Sequence, residues 1–373
     1  MSDPVPGRPA VERHSGTKLM ILTTTNQRRG AEVQAERTAR ALSGLGWDPA
    51  VVALSASPPP VTGAGVLTDR GPSDIGGLAM GVLKPLRAAI RREAPQVVLA
   101  WGSATLRYTA IATLGMRGCP VLGYVAIGSP SGWVRSRAQV VRYRLLVSRY
   151  RVVLAVSERT REELVDLIGV PPDRVHVVPS GIPHEYLDIT REEHGRELNV
   201  LIAGSLTEEK DPLAAIDVVS EAADGCAIKA RFVGAGPLTE PAKREAKRRG
   251  MEGSVEFVGP APHLRAHLAW ADVLLLTSRT EGLPGVVIEA AGAGLPVVTF
   301  DVGAVDEIVA NGESGVVIRE RDVGAAARAL VRLAGDPTLR EAYGSRARVI
   351  VADGYLIGVA ATSIDRVLRD QMS

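Results

Sequence analysis

The stretch Ser278–Val298 reads SRTEGLPGVVIEAAGAGLPVV. It leaves a short apolar, β-branched run, Val273–Thr277, which has the composition of a buried strand. A loop with Gly282 and Pro284 follows, and a helix is expected to start near Gly285 and to carry Glu289. A helix start offers unpaired backbone N–H groups and the positive end of its dipole to an anion such as a diphosphate. Gly282 lets the backbone come close to a ligand. Glu281 lies in the loop and Glu289 in the second helical turn, so both can address one elongated ligand. Carboxylates accept paired hydrogen bonds from vicinal hydroxyls, as on a ribose or a hexose. Two acids eight positions apart are common by chance; the strand–loop–helix frame is what makes them a candidate site.

Working outward, the same alternation fills the chain. In the first half, strands are expected at Lys18–Thr24, Ala50–Leu54, Gln96–Trp101, Pro120–Val125, Val152–Val156 and Val175–Val178. Helices are expected at Ala31–Leu45, Gly81–Glu93 and Glu158–Ile168. The run from Pro179 to Glu197 is polar and turn-rich, and reads as a linker. Strands then recur at Asn199–Ala203, Ile228–Val233, Val255–Val258, Val273–Thr277 and Pro296–Phe300. Helices recur at Pro212–Ala223, Glu240–Arg249, His263–Trp270, Gly285–Ala293 and Val323–Ala334. Apolar strands alternating with amphipathic helices predict α/β halves with parallel sheets. The expected organisation is a flexible arm at 1–16, a first Rossmann-like domain at 17–180, a linker at 181–197 and a second Rossmann-like domain at 198–354. A last helix, at 355–370, either stays with the second domain or packs back on the first. Open sheets of this kind bind ligands beyond the carboxyl ends of their strands, so two facing sheets predict a site in the cleft between them.

Composition narrows the function. The chain of 373 residues is 46% hydrophobic and 23% charged, with 44 Lys and Arg against 42 Asp and Glu. Its formal charge of +2 gives no global pull toward nucleic acid, and aromatics at 4% exclude broad stacking platforms. Cys119 and Cys226 stand far apart, so no disulfide framework and a reducing cytoplasm are expected. In the first sixteen residues no apolar h-region follows a basic start, and no run in the chain is long enough for a membrane helix, so neither a signal peptide nor a span is expected.

The Ser278–Val298 run resembles the family 4 retaining glycosyltransferases, which carry E-G-x-P-x-x-x-x-E followed by G-x-P-V-V. Glu281, Gly282, Pro284 and Glu289, then Gly294, Pro296, Val297 and Val298, match. The resemblance implies a GT-B fold, two Rossmann-like domains facing each other across a cleft. It implies that Glu281 holds the donor sugar's hydroxyls, that Glu289 holds the ribose, and that the backbone of Leu283, Pro284 and Gly285 meets sugar and phosphates. The segment AGSLTEEKD, Ala203–Asp211, resembles the family's G-R-L followed by a Lys. Gly204, Leu206 and Lys210 match, and Lys210 is placed to stabilise the leaving diphosphate. Ser205 replaces the usual Arg and removes a bidentate phosphate contact. Gly30-Ala31-Glu32 resembles the glycine loop that faces the diphosphate, with Arg29 in place of its first glycine and a possible partial substitute for the missing Arg. Phe257-Val258-Gly259 resembles the segment against the base, and Val233–Pro237 a G-x-G-P turn.

The family's His at the end of a first-domain strand has no counterpart; Ile127 and Gly128 fall there, and the loop Ala126–Trp133 becomes a candidate acceptor wall. No D-x-D and no zinc-type Cys/His spacing occur, so neither metal nor further cofactor is expected. Arg135, Arg142 and Arg149, and again Arg137, Arg144 and Arg151, recur every seven residues, predicting two opposed basic stripes on a helix. Opposed stripes favour a solvated or salt-bridged helix, with peripheral contact to anionic lipid left open. The Lys243–Arg249 run reads as a solvated helix face.

The leading reading is retaining transfer of a sugar from a nucleotide diphosphate-sugar to a hydroxyl acceptor: a polysaccharide, glycolipid or natural product. The acceptor would bind the first domain and the donor the second. Two alternatives are a non-catalytic sugar-nucleotide-binding regulatory subunit, motivated by Ser205 and the absent His, and a sugar-nucleotide epimerase, which needs acid/base groups on both cleft walls. Nucleotide release from a bound donor separates the first from an enzyme. A nicotinamide enzyme is disfavoured because no G-x-G-x-x-G follows the first strand of either half. Donor sugar, base, acceptor and oligomeric state are not assigned by the sequence.

Overall fold

Runs such as Met20–Leu22 and Val97–Ala100 are apolar at every position and buried at every position. A strand buried on both faces needs a helix layer on each side, which is the environment of a parallel sheet. The computed structural model describes residues 16–27, 30–56, 65–67, 80–192 and 195–372. The first fifteen residues of the expected arm, and Arg29, lie outside the described residues.

The first half contributes β1 (Thr17–Thr25), β2 (Trp47–Ser55), β3 (Gly65–Val66), β4 (Val97–Trp101), β5 (Val121–Ala126), β6 (Val152–Ala155) and β7 (Val175–Val177). They form one parallel sheet in the order β3-β2-β1-β4-β5-β6-β7. The second half contributes β8 (Leu198–Ala203), β9 (Ile228–Val233), β10 (Val255–Gly259), β11 (Val273–Leu276), β12 (Val297–Phe300) and β13 (Gly315–Ile318). These form a second parallel sheet, β10-β9-β8-β11-β12-β13. In each sheet the chain order reverses beside its first strand, between β1 and β4 and between β8 and β11. The loops diverge at such a switch point and leave a crevice at the carboxyl ends of the strands. Two Rossmann-like domains with facing crevices are therefore present, the GT-B architecture.

Helices of the first domain are α1 (Gly30–Ser43), α2 (Met80–Glu93), α3 (Ser103–Ala112), α4 (Arg137–Val147) and α5 (Glu158–Glu163). The second carries α6 (Pro212–Ala223), α7 (Thr239–Arg248), α8 (Arg265–Trp270), α9 (Gly285–Gly292), α10 (Val323–Gly335) and α11 (Pro337–Gly354), followed by α12 (Ile357–Asp370). The sequence signals missed β3, β13, α3 and α11. β3 has two residues, too few for a period, and α3 buries Thr105 and Thr109 alongside its apolar side chains, which blurs its amphipathic pattern.

The two arginine stripes do not form. Ser136 accepts a hydrogen bond from the Gln139 amide and starts α4 there. The helix ends at Val147, so Arg135, Arg149 and Arg151 lie outside it. A seven-residue period implies a stripe only while the helix lasts, and this one spans 11 residues.

The chain passes between the domains twice, and the two passages pair. The Ile182 amide donates to Tyr355 O at 2.9 Å and the Ile357 amide to Ile182 O at 2.8 Å. The segment at 181–197 is not polar throughout, since it buries Ile182, Tyr186 and Ile189. After Tyr355 the chain packs α12 against α1 of the first domain. Trp47 Nε1 donates to Asp365 Oδ1 at 2.7 Å, and the Arg369 guanidinium donates to Leu45 O at 3.0 Å. Across the cleft, the Glu307 carboxylate accepts from the amides of Glu158 and Arg159 at 3.1 and 3.0 Å, at the start of α5. A carboxylate there meets otherwise unpaired amides and the helix dipole. Leu368, on α12, is fully buried. We expect Leu368→Ala to lower unfolding free energy by about 2–5 kcal/mol in a urea titration; an unchanged midpoint would mean that α12 does not contribute to the core.

Candidate active site

The second-domain wall is built at the β8–β11 switch point. Past β8 the chain turns through Gly204 and Ser205, the latter exposed, and reaches Lys210. Gly234 holds this turn: its φ is +144°, and a Cβ there would overlap the Gly204 carbonyl. The G-x-G-P turn is therefore a close-packed support for the loop that carries Lys210. Past β11 the chain gives Ser278 and Glu281. Lys210 Nζ meets Glu281 Oε1 at 2.5 Å, and Ser278 Oγ donates to the same oxygen at 2.7 Å. The Glu281 side chain is 9% exposed. A buried carboxylate held this way has one well-defined direction, with a second oxygen to offer a ligand.

Two residues the sequence did not point to fix this wall. Asp211 adopts φ +47°, rare for a residue with a Cβ. Arg321 and Arg279 both meet Asp211 Oδ2 at 2.7 Å, and Arg321 also donates to the carbonyls of Ser278 and Thr277. Thr277 Oγ1 donates to Asp211 O at 3.0 Å. Arg321 thus ties the Lys210 loop to the Glu281 loop. Arg279 is largely exposed beside them, a second cation near the place where Ser205 replaces an Arg. Arg279 was visible in the S-R-T-E run; Arg321, 43 positions beyond Ser278, carried no signal.

Pro284 precedes α9 and Gly285 is its first residue, with no side chain capping the helix start. Leu283 is buried beneath the loop. Gly282 meets the first domain: a Cβ there would overlap the Ile127 carbonyl oxygen. Gly285 lies beside the Gln34 amide of α1. Glu289, one turn on, pairs with Arg37 of α1 at 2.8 Å, its side chain 12% exposed. Arg37 also donates to the Tyr186 hydroxyl at 3.0 Å. Burial, then the nearby Glu289 charge, push the Tyr186 phenol up, so it stays protonated and hydrogen-bonds Glu289. Glu289 therefore reaches across the gap to the first domain, while the Glu281 side chain is held within the second by Lys210 and Ser278.

The first-domain wall is formed at the β1–β4 switch point. Gly30 is exposed at the start of α1. Behind it a cavity of about 210 Å³ is lined by Thr24, Glu32, Trp101, Ser103, Ile127 and Trp133, among others. Glu32 is buried and within 3.4 Å of Thr25 Oγ1. Trp101 Nε1 is buried with no hydrogen-bond acceptor among the described residues. The loop below is anchored, because the Glu163 carboxylate accepts from Ser129 Oγ, Ser131 Oγ and the Ser131 amide. Val258 stands apart from these groups. It is 40% exposed on β10, three strands from β11 in the sheet order.

Two facing Rossmann-like domains with this cleft define a GT-B protein, and comparison with known proteins agrees. Residues 28–186 match the model described as Glycosyltransferase Family 4, and residues 197–336 the model Glycosyl transferases group 1. Together these cover both domains, and the chain belongs to the family 4 glycosyltransferases. It is 30% identical over 198 residues to an exopolysaccharide phosphotransferase of Streptomyces coelicolor, covering 52% of this chain and 21% of that protein. It is 30% identical over 229 residues to the putative colanic acid biosynthesis glycosyltransferase WcaL of Salmonella typhimurium, covering 57% of this chain and 55% of that one. The chain thus aligns with about half or less of these relatives' length. The crystal structure of Anabaena HepE in complex with UDP and glucose superposes with a TM-score of 0.78 at 19% identity, over 95% of this chain and 99% of that one.

Since a Cβ at position 282 would overlap backbone, Gly282→Ala must push the Ile127 loop away. We expect it to lower stability by about 1–3 kcal/mol and to increase the radius of gyration measured by X-ray scattering. An unchanged melting temperature and scattering curve would show that this contact does not hold the cleft closed.

Proposed function

We propose that this chain transfers a sugar from a nucleotide diphosphate-sugar to a hydroxyl acceptor, with retention at the anomeric carbon and without a metal. The carrying observation is the Lys210–Glu281 pair at the mouth of the β8–β11 crevice, beside the uncapped start of α9. An ammonium and free helix amides suit a diphosphate, and the second oxygen of Glu281 suits sugar hydroxyls. Glu281 would hold the sugar, with Lys210 on the diphosphate. Gly204, Ser205 and Leu283–Gly285 would lie along the phosphates and sugar, Gly30 across from them, and Val258 toward the base. Glu289 would take the ribose by exchanging its Arg37 contact for the 2′- and 3′-hydroxyls.

The acceptor would enter from the first domain, where the 210 Å³ cavity is lined by Trp101, Trp133 and Glu32. The bond between the anomeric carbon and the phosphate oxygen breaks, and the acceptor oxygen bonds to that carbon on the same face. The departing phosphate oxygen takes the acceptor's proton, so no protein base is needed where Ile127 and Gly128 stand. Lys210, the α9 amides and the nearby Arg279 would meet the charge that develops on the leaving diphosphate. The complex of HepE with UDP and glucose and the putative glycosyltransferase assignment of WcaL support this reading.

A thermal-shift panel of UDP-, GDP-, ADP- and dTDP-sugars tests it first. At a ligand concentration of 100 Kd the true donor stabilises by about 2.7 kcal/mol. Glu289→Ala should abolish that shift, and Lys210→Ala should lower kcat by about 100- to 1000-fold at saturating donor. EDTA should leave the rate unchanged. A protein that binds a nucleotide sugar but never releases nucleotide with any acceptor would replace this reading with a regulatory binding subunit.

A further inference from the structure

From Ala94 to Ser157 the chain holds eight Arg and no Asp or Glu. In a sequence whose charges otherwise nearly cancel, that is a strong local imbalance. α4 sits within this stretch. Its inward side is Tyr143 and Val147, both buried, with Tyr143 hydrogen-bonded to Tyr124 of β5 at 2.7 Å. The side opposite Tyr143 on a helix of 3.6 residues per turn is formed by Ala138, Val141 and Leu145. Val141 is 57% and Leu145 66% exposed, the latter the most open of the large exposed apolar side chains among the described residues. Arg142 flanks this ridge on one side, Arg137 and Arg144 on the other, and Arg135 and Arg149 follow at the two ends. Leu114, 50% exposed, lies at the end of the neighbouring α3, with Arg117 three residues on.

These arginines lack partners of opposite charge. Among the described residues, none of Arg135, Arg137, Arg142, Arg144 and Arg149 forms an ion pair. The nearest following acids are on α5 and the turn after it, and Glu163 there is taken by Ser129 and Ser131. The other basic helix face, on α7, shows what ordinary solvation looks like. Lys243 pairs with Glu240, Arg248 and Arg249 pair with Glu245, Arg249 also pairs with Asp217, and Lys247 with Glu252. That face has a similar density of cations, with every acid in place and no exposed aliphatic ridge. On α4 the acids are missing and aliphatic side chains stand between the arginines.

We propose that the outward face of α4 docks this chain on an anionic lipid bilayer. Aliphatic side chains flanked by cations are the pattern of a helix lying in a membrane interface. The ridge inserts among acyl chains while the guanidinium groups meet phosphate and carboxylate headgroups. Nucleic acid fits less well, because stacking needs aromatic faces and the ridge is Val141 and Leu145. Among the described residues no helix is long and apolar enough to cross a membrane, so contact of this kind is peripheral. The inward side of the same helix adjoins the first-domain cavity. Trp133 lines that cavity and packs edge-on against Tyr143 of α4, with ring centroids 4.7 Å apart. Docking would hold the first domain, with this cavity behind α4, close to the headgroup layer; that a lipid-anchored hydroxyl then reaches the cavity rests on the sugar-transfer reading alone.

The full chain is to be sedimented with vesicles of phosphatidylcholine, alone and mixed with phosphatidylglycerol. Binding is expected to the anionic vesicles only, and to fall by more than about tenfold as salt rises from about 0.1 to 0.5 M. Arg142→Glu combined with Leu145→Glu should weaken it by more than about tenfold. Neither residue is in the core, so melting temperature and the thermal shift with nucleotide should stay as in the parent. If the double variant melts early, Arg137→Gln with Arg142→Gln gives the milder comparison, with a loss of several-fold expected. No binding to anionic vesicles, equal binding to both vesicle types, or unchanged binding by both variants overturns the proposal. So does retention of single-stranded RNA that these variants lose while no vesicle is bound. A nucleotide shift that never appears, with vesicle binding intact, would count against sugar transfer alone.

Discussion

The close approach of the two domains at Gly282 is the constraint on which the site depends. Backbone meets backbone there, with no space for a side chain between the Glu281–Gly282 loop and the Ile127 carbonyl. Every other cleft feature follows from that distance. Glu289 reaches Arg37 of the facing helix, Gly285 comes up beside Gln34, and Glu307 reaches the first amides of α5. The paired passages at Ile182 and Tyr355, with α12 packed back on the first domain, keep the two sheets from drifting apart. The geometry is that of a closed cleft with both switch points facing inward.

Within that cleft the electrostatic arrangement is layered. Lys210 and Glu281 neutralise each other at the surface a ligand would touch. Behind them Asp211 gathers Arg321 and Arg279, two guanidinium groups on one carboxylate. A pair whose partners can each turn to a ligand group, backed by these two guanidinium groups, suits a dianionic leaving group attached to a neutral sugar. The left-handed backbone at Asp211 is part of this device. It turns the chain sharply just after Lys210, and the hydrogen bonds from Arg321 and Thr277 hold that costly conformation.

Much of the fold was legible because parallel strands buried on both faces give unmistakable apolar runs, and because Ser278–Val298 announces strand, loop and helix in one reading. The contact of Lys210 with Glu281 was approachable from sequence because each lies in the loop that follows a central strand of one sheet, β8 or β11. The cross-cleft partners were not. Arg37 and Glu289 are brought together by the packing of two domains, and nothing local in α1 marks Arg37 as different from Arg40. Arg321 follows β13, a strand that the patterns missed, so its route back to Ser278 was invisible. The arginine repeat misled for a related reason: a period read over seventeen positions, Arg135 to Arg151, was applied to a helix of 11.

The Arg37–Glu289 pair links the two halves of the argument. Glu289 is held by a cation of the opposite domain and by Tyr186. A ribose that claims this carboxylate must displace Arg37 or share it, while a diphosphate at the start of α9 gives the freed guanidinium an anion to face. On the proposed reading, donor entry would exchange one interdomain contact for another without leaving a buried charge unpaired, an outcome that would otherwise be costly. The same helix α1 presents Gly30 at its start and Arg37 two turns later, and it carries α12 on its outer side. Donor occupancy would therefore be felt through α1 by the element that ties the domains together, which couples closure to binding by packing alone.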